Sequence, residues 1–229
     1  MTDQDSAAWN PDWEEQLYGS GKHLNRYPFE LVVSQLLSRF PDRTEAPSLL
    51  EVGCGAGNNL WFAAREGFQV AGIDGSQSAV VYARDRFARE GLQGDLRVGD
   101  FSQLPWTDAS FDIVVDRKSI THNRQVHVRM AFQEAARVLR PGGLLVSELY
   151  SSQHPERKRG RDLGDGSADQ FPEDSYFRPV GLTRFFSEGD LKALLESDFQ
   201  LLQLEHILIS DALAGTPRTA YWQAVAKKR

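Results

Sequence analysis

An α/β fold, doubly wound around a mostly parallel sheet, is what the sequence predicts, and three observations carry that prediction. From Ser48 onward, short apolar runs alternate with helical stretches, which pairs the strands in parallel and puts helices on both sheet faces. Between the first run and the first of these helices lies Gly53-Cys54-Gly55-Ala56-Gly57. A strand that turns sharply into a helix beneath a ligand needs residues without Cβ. Finally, the last two apolar segments are separated only by a loop, too short for a parallel crossover, so they pair antiparallel.

The elements follow in order. Residues 1–27 read as an arm that lies on the body and whose segment from Trp13 to Tyr27 is glycine-interrupted and carries aromatic anchors. Its first dozen residues, polar apart from Trp9, are expected to fray. Phe29, Val32, Val33, Leu36, Leu37 and Phe40 recur at helical spacing, and Pro41 and Pro47 bracket a loop. SLLEVG is the first strand, NNLWFAAREG a helix ending at Gly67, and QVAGID the second strand. A helix from Ser76 to Glu90 precedes the strands DLRVGD and FDIVVDR. A helix near Val126–Leu139 leads through the turn Pro141-Gly142-Gly143 to the strand LLVSELY. Residues 151–183, rich in Arg, Asp, Gly and Ser, are too long for an idle connection and read as a substrate-side insertion. Ser187 and Asp190 open the last helix as a capping-box-like pair, and LLQLEHILIS and TAYWQAVAKK finish the sheet. One domain over 1–229, with a cofactor-binding core at 48–150, accounts for the pattern.

Composition narrows the function. The 229 residues are 41% hydrophobic and 25% charged, with a formal net charge of −6, so a core of ordinary size is available. The acidic balance argues against broad nucleic-acid binding. The single cysteine, Cys54, rules out an intrachain disulfide and a cysteine-based zinc cluster, and no metal site is expected. The acidic start is unlike a signal peptide and no apolar run is long enough to span a bilayer, so a cytoplasmic protein away from membranes is expected.

The site reading starts from Glu51-Val52-Gly53-Cys54-Gly55-Ala56-Gly57 and from Asp74, which ends the second strand. A carboxylate there can accept both hydroxyls of a ribose, in NAD or in S-adenosylmethionine. The spacing separates the two: a dinucleotide fingerprint would require glycine at position 58, where Asn58 stands. A buried carboxylate at Glu51 also belongs near a cation, and the methionine part of S-adenosylmethionine supplies an ammonium and a sulfonium.

EVGCGAGNNLWFAAREGFQVAGIDGS resembles the first two motifs of class I S-adenosylmethionine-dependent methyltransferases. Gly99-Asp100-Phe101, FDIVVDR and RVLRPGGLLV resemble later motifs in the same order. The resemblance implies the Rossmann-like methyltransferase fold, a seven-stranded sheet with an antiparallel C-terminal strand. It implies that Gly53, Gly55 and Gly57 surround the methionine portion and that Asp74, with Gly75 and Ser76 after it, takes the ribose. Asp100 and Phe101 take the adenine, and Asp116 lies beside the transferred methyl. In related enzymes an arm covers the cofactor, which makes Tyr18 and Arg26 candidates, Arg26 as a partner for the methionine carboxylate.

Methyl transfer needs a general base only for a hydroxyl or a protonated amine. His122, in Asp116-Arg117-Lys118-Ser119-Ile120-Thr121-His122-Asn123, is the first candidate and His154 the second. Arg157, Lys158, Arg159 and Arg161 either form a solvated loop or recognise an anionic acceptor. Tyr176, Phe177, Phe185 and Phe186 either wall the acceptor pocket or seat the insertion on the core. The expected activity is methyl transfer to an O or N atom of a small, polar or anionic molecule. An NAD(P)-dependent oxidoreductase and a non-catalytic S-adenosylmethionine-binding module stay open as alternatives. For the first, no Tyr-x-x-x-Lys pattern follows the glycine loop, and nucleic-acid amino methylation lacks Asn-Pro-Pro-Tyr after the fourth strand.

Overall fold

The computed structural model describes residues 9–229; the first eight residues of the arm, and with them most of the segment expected to fray, lie outside the described residues. The chain enters through a π-helical turn, Trp13–Tyr18, and then α1, Glu30–Arg39. β1 (Ser48–Val52), α2 (Asn58–Arg65), β2 (Gln69–Asp74), α3 (Gln77–Arg89) and β3 (Asp95–Val98) build one half of the sheet outward from its middle. β4 (Phe111–Arg117) then returns to the other side of β1, followed by α4 (Gln125–Val138) and β5 (Leu139–Tyr150). α5 (Glu188–Leu195) precedes β9 (Phe199–Asp211) and β10 (Thr216–Lys228). The strand order is β3-β2-β1-β4-β5-β10-β9. All neighbours through β5 are parallel, and β10 is antiparallel to both β5 and β9.

Period-two alternation explains how the sheet is covered. Leu50 and Val52 face a core shared with Val128, Phe132 and Leu191, whereas Leu49 faces Val32, Leu60 and Val80. α4 and α5 therefore cover one face and α1, α2 and α3 the other. Ser76 caps α3 by accepting from Ala79 N at 3.0 Å, and Ser187 with Asp190 forms the capping box of α5. One strand differs from expectation. β5 begins at Leu139, which pairs with Phe111, while Leu144 pairs with Ile113. Arg140–Gly143 thus bulges out within the strand, and the Pro-Gly-Gly turn lies inside β5 instead of before it.

The insertion folds into a 3₁₀ turn, Pro155–Lys158, and a small antiparallel sheet of β6 (Arg161–Asp162), β7 (Ser167–Asp169) and β8 (Thr183–Arg184). Its Phe171, Phe177 and Phe185 pack with Leu17 of the arm in a third apolar cluster. The arm is also fastened by polar contacts. Asn10 Nδ2 donates to Val180 O at 3.1 Å, and Glu14 accepts from Ser76 Oγ at 2.5 Å and from the Ser78 hydroxyl. Those contacts stretch the arm from the insertion to the start of α3, across the carboxyl ends of the central strands. Among the described residues, no helix is long and apolar enough to cross a membrane.

Candidate active site

Because the chain runs outward from β1 and then restarts at β4, the loops leaving these neighbouring strands go opposite ways and open a crevice at their carboxyl ends. A cleft lies there, lined by Glu51, Gly53, Gly55, Asp74, Asp100 and Phe101 on one side. Arg117, Lys118, Ser119, His122, Asn123 and Tyr150 line the other, under Trp9, Trp13, Tyr18 and His23 of the arm.

The glycine loop is shaped by close approaches. Gly53 has φ +64°, and a Cβ on it would lie 2.2 Å from Ser119 Cβ and Oγ; Ser119 Oγ donates to Gly53 O at 3.0 Å, tying the two strand ends together. Gly55 has φ +51°, and a Cβ there would meet the Tyr18 hydroxyl at 2.4 Å. Asp74 fixes the loop from the side: Gly55 N donates to Oδ2 at 2.8 Å and Ser76 N to Oδ1 at 2.9 Å. Burial raises the Asp74 carboxyl to about 6 against these two stabilising bonds.

Glu51 is incompletely satisfied. It is 2% exposed, and Oε1 accepts from Asn59 Nδ2 at 2.6 Å, but Oε2 has no hydrogen-bond partner among the described residues. Burial pushes its carboxyl up to about 8. An unpartnered buried carboxyl oxygen costs free energy unless something donates to it. An α-ammonium group is such a donor, with the opposite charge. The residues present fit S-adenosylmethionine: a polar end at Glu51, a glycine cradle, a carboxylate at Asp74, and Asp100 with the ring of Phe101 farther along. Asp100 also orders its own turn, accepting from Ser102 N at 2.7 Å.

On the other side, His122 lies behind Trp13 and Tyr150, with ring centroids 5.2 and 5.9 Å away. Its Nδ1 is 3.0 Å from Thr183 Oγ1. The insertion thereby holds a residue of the β4 loop, a pairing reinforced where Thr121 Oγ1 donates to Arg184 O at 2.6 Å. Burial lowers the His122 imidazole to about 3, so it is neutral at physiological pH.

Several expected site residues are elsewhere. Asp116 is fully buried behind the cleft, accepting from Ser119 N at 3.0 Å, Ile120 N at 3.1 Å and Ser147 Oγ at 2.8 Å. It shapes the turn after β4 and does not line the cleft. His154 is 2% exposed. Its Nδ1 accepts from Glu156 N at 3.2 Å as a helix cap, and its Nε2 faces the Tyr176 hydroxyl and Thr219. Arg26 is exposed, and its contribution is a carbonyl that accepts from Arg86 Nη1 at 2.7 Å. Ser76 is occupied as the α3 cap and by Glu14. Gly57 begins α2 at φ +70°, where a Cβ would sit 3.0 Å from Ala83 Cβ, so it serves helix packing. Gly75 does line the cleft, with the indole of Trp9 where a Cβ would lie.

Two members of the insertion's basic run are paired within the insertion. Arg159 pairs with Glu156 at 2.7 Å and Asp174 at 2.5 Å, and Arg161 pairs with Asp169 at 2.8 Å. None of Arg157, Lys158, Arg159 and Arg161 lines the cleft. Phe177, Phe185 and Phe186 are core residues that seat the insertion. The sequence reading missed the aromatic cover from Trp9 and Trp13, and the pair Arg117 and Lys118. A signal for that pair was present, since Arg117 ends the strand-four motif and Lys118 directly follows it.

A crevice at the switch point, a glycine turn and acids at the ends of β1 and β2 suit an adenosyl cofactor with a cationic end. The comparisons with known proteins agree. Residues 49–143 match the family described as "Methyltransferase domain". A sterol 24-C-methyltransferase of Gibberella zeae is 30% identical over 71% of this chain and 42% of its own. An uncharacterized methyltransferase of Bacillus subtilis is 28% identical over 80% of this chain and 77% of its own. Among solved structures, an S-adenosylmethionine-dependent methyltransferase from Methanosarcina mazei superposes with a TM-score of 0.71 at 20% identity, over 88% of this chain and 98% of that one. This chain spans half or less of the length of several curated relatives that it matches. The chain is thus similar to S-adenosylmethionine-dependent methyltransferases, in sequence over residues 49–143 and in fold over most of its length.

Proposed function

We propose that the protein transfers a methyl group from S-adenosylmethionine to an oxygen or nitrogen of a small, polar or anionic molecule. The observation that carries this reading is Glu51 Oε2, a buried carboxyl oxygen without a protein partner beside the glycine loop. In this proposal Glu51 receives the ammonium, Gly53 and Gly55 border the methionine portion, Asp74 takes the ribose, and Asp100 and Phe101 take the adenine. Bound there, S-adenosylmethionine supplies a methyl group that is already activated. The chain then has to align the acceptor and keep water out, and alignment alone can remove roughly 7–11 kcal/mol of barrier. The arm supports a small acceptor, because Trp13, Tyr18 and His23 close the cleft from above. Arg117 and Lys118 support a polar or anionic one.

His122 is proposed to orient the acceptor as a neutral hydrogen-bonding group. The test is transfer of tritiated methyl from S-adenosylmethionine into a small-molecule extract. Label should appear in the small-molecule fraction, and His122→Ala should lower the rate roughly 100-fold, as expected when an acceptor is misplaced. No inflection near pH 6.5 is expected from this imidazole. Cofactor binding without label transfer would instead make the chain a non-catalytic module.

A further inference from the structure

We propose that Lys118, with Arg117 beside it, anchors an anionic oxygen on a flat aromatic acceptor, an aryl carboxylate being the simplest member of that class. The inference deepens the methyltransferase reading and rests on it.

The geometry begins with the backbone. Lys118 directly follows β4 with φ +59°, a left-handed conformation that is costly for a side chain other than glycine and persists only where its surroundings enforce it. Lys118 N donates to Glu148 O at 2.9 Å, which locks that conformation. The side chain is thereby set against the cleft wall, its ammonium 3.9 Å from the ring centroid of Tyr221 and 5.1 Å from that of Tyr150.

Charge is unbalanced at this wall. Lys118 Nζ lies 3.3 Å from Glu148 Oε2, and Arg117 Nε lies 3.1 Å from the same oxygen. Arg117 Nε nevertheless makes no hydrogen bond, and the second oxygen of Glu148 is taken by Gln223 Nε2 at 3.1 Å. Two cations therefore share one carboxylate. Among the described residues no other carboxylate forms an ion pair with either. The next acid toward the cofactor side is Glu51, already assigned to the ammonium. A surplus positive charge in a largely buried wall is best met by an anion. A neutral acceptor would leave it unmatched.

The shape of the ligand follows from its walls. The Arg117 guanidinium lies 3.5 Å from the ring centroid of Phe29, and Trp13, His122 and Tyr150 form a connected aromatic wall. Planar surfaces of this kind suit a planar acceptor. The basic residues Arg157, Lys158, Arg159 and Arg161 of the insertion do not compete for this role, since none of them lines the cleft.

The test titrates the protein saturated with S-adenosylhomocysteine, by calorimetry at low ionic strength, with benzoate, benzamide and benzylamine. Benzoate should bind at least about tenfold more tightly than the two others, a difference of ~1.4 kcal/mol. Lys118→Met should lose that preference and Lys118→Arg should retain it. Melting curves of both variants verify the fold. The pH profile separates a charge role from a packing role. Burial lowers the Lys118 ammonium to about 8, so benzoate affinity should fall between pH 7 and 9 in the native protein and stay level in Lys118→Arg.

Arg117 and Glu148 face Lys118 directly; of the other groups near it, His122 and His154 stay neutral in that range, and Tyr150 titrates only near 12. Burial also raises Tyr221. Glu51 is raised to about 8 only in the free protein; in the protein saturated with S-adenosylhomocysteine the bound ammonium holds it as the carboxylate, so it leaves the Lys118→Arg profile level. Equal binding of benzoate and benzamide, unchanged benzoate affinity in Lys118→Met, or no benzoate binding by protein that holds S-adenosylhomocysteine would each overturn the proposal. Failure to bind S-adenosylhomocysteine would overturn the methyltransferase reading instead.

Discussion

Asp74→Ala should weaken binding of S-adenosylmethionine about 100-fold or more. The carboxylate accepts from Gly55 N at 2.8 Å and from Ser76 N at 2.9 Å. It joins the glycine loop to the start of α3. Hydrogen bonds to a charged acceptor contribute roughly 1.5–3 kcal/mol each, and about 1.4 kcal/mol is a factor of ten in affinity. Alanine removes both bonds and, in the proposed function, the partner of the ribose. An amide keeps one acceptor oxygen, so Asp74→Asn should fall between the alanine variant and the native protein. Calorimetry measures the three affinities side by side. An alanine variant within threefold of the native protein would show that the loop holds its shape without Asp74.

Glu51→Gln is the second large effect, and its mark is a proton. Burial holds the Glu51 carboxyl at about 8, so at pH 7 the free protein carries most of that proton. An ammonium placed beside it favours the carboxylate, and binding should therefore release up to about one proton. Titrations in buffers of different ionisation enthalpy count it. The variant should release none and bind roughly tenfold or more weakly, as expected on losing a charge-assisted bond. The amide oxygen of the variant can still accept from Asn59, so the fold should be retained.

The same shift sets a stability trend. The folded protein holds a Glu51 proton that the unfolded chain loses near 4.5. The stabilisation is thus complete below that pH and is lost as pH rises through about 8. Asp74 and Asp116, both raised to about 6 by burial, act in the same direction over a lower range. The melting temperature of the free protein should fall between pH 5 and 8, and Glu51→Gln should flatten the upper part of that fall. A flat native curve would contradict the assigned burial of Glu51.

Much of the architecture was legible because each strand and helix carries its own period. Leu49 and Leu50 point to opposite cores, and alternation of that kind depends only on neighbours in the chain. The glycine loop was legible for the same local reason. Residues whose roles depend on distant partners were not. Asp116 fits the expected motif position, yet Ser147 and the backbone of the following turn claim its oxygens. His154 follows strand five as a base might, but the contacts of Tyr176 and Thr219 turn it into a structural link. The insertion reads as substrate-side in the sequence, but the residue by which it meets the cleft wall, Thr183 beside His122, carried no local signal. Trp9 and Trp13 gave no periodic signal, and their place over the cleft follows from the tethering of the arm at Asn10 and Glu14.

The account depends on a sulfonium nucleoside fitting between Glu51 and Asp74. Titrating the full chain by calorimetry with S-adenosylhomocysteine, and in parallel with NAD, tests this most directly. Saturable binding of S-adenosylhomocysteine well below millimolar concentration, with none of NAD, is the predicted result. No heat from S-adenosylhomocysteine at millimolar concentration, or equal binding of NAD, would contradict it.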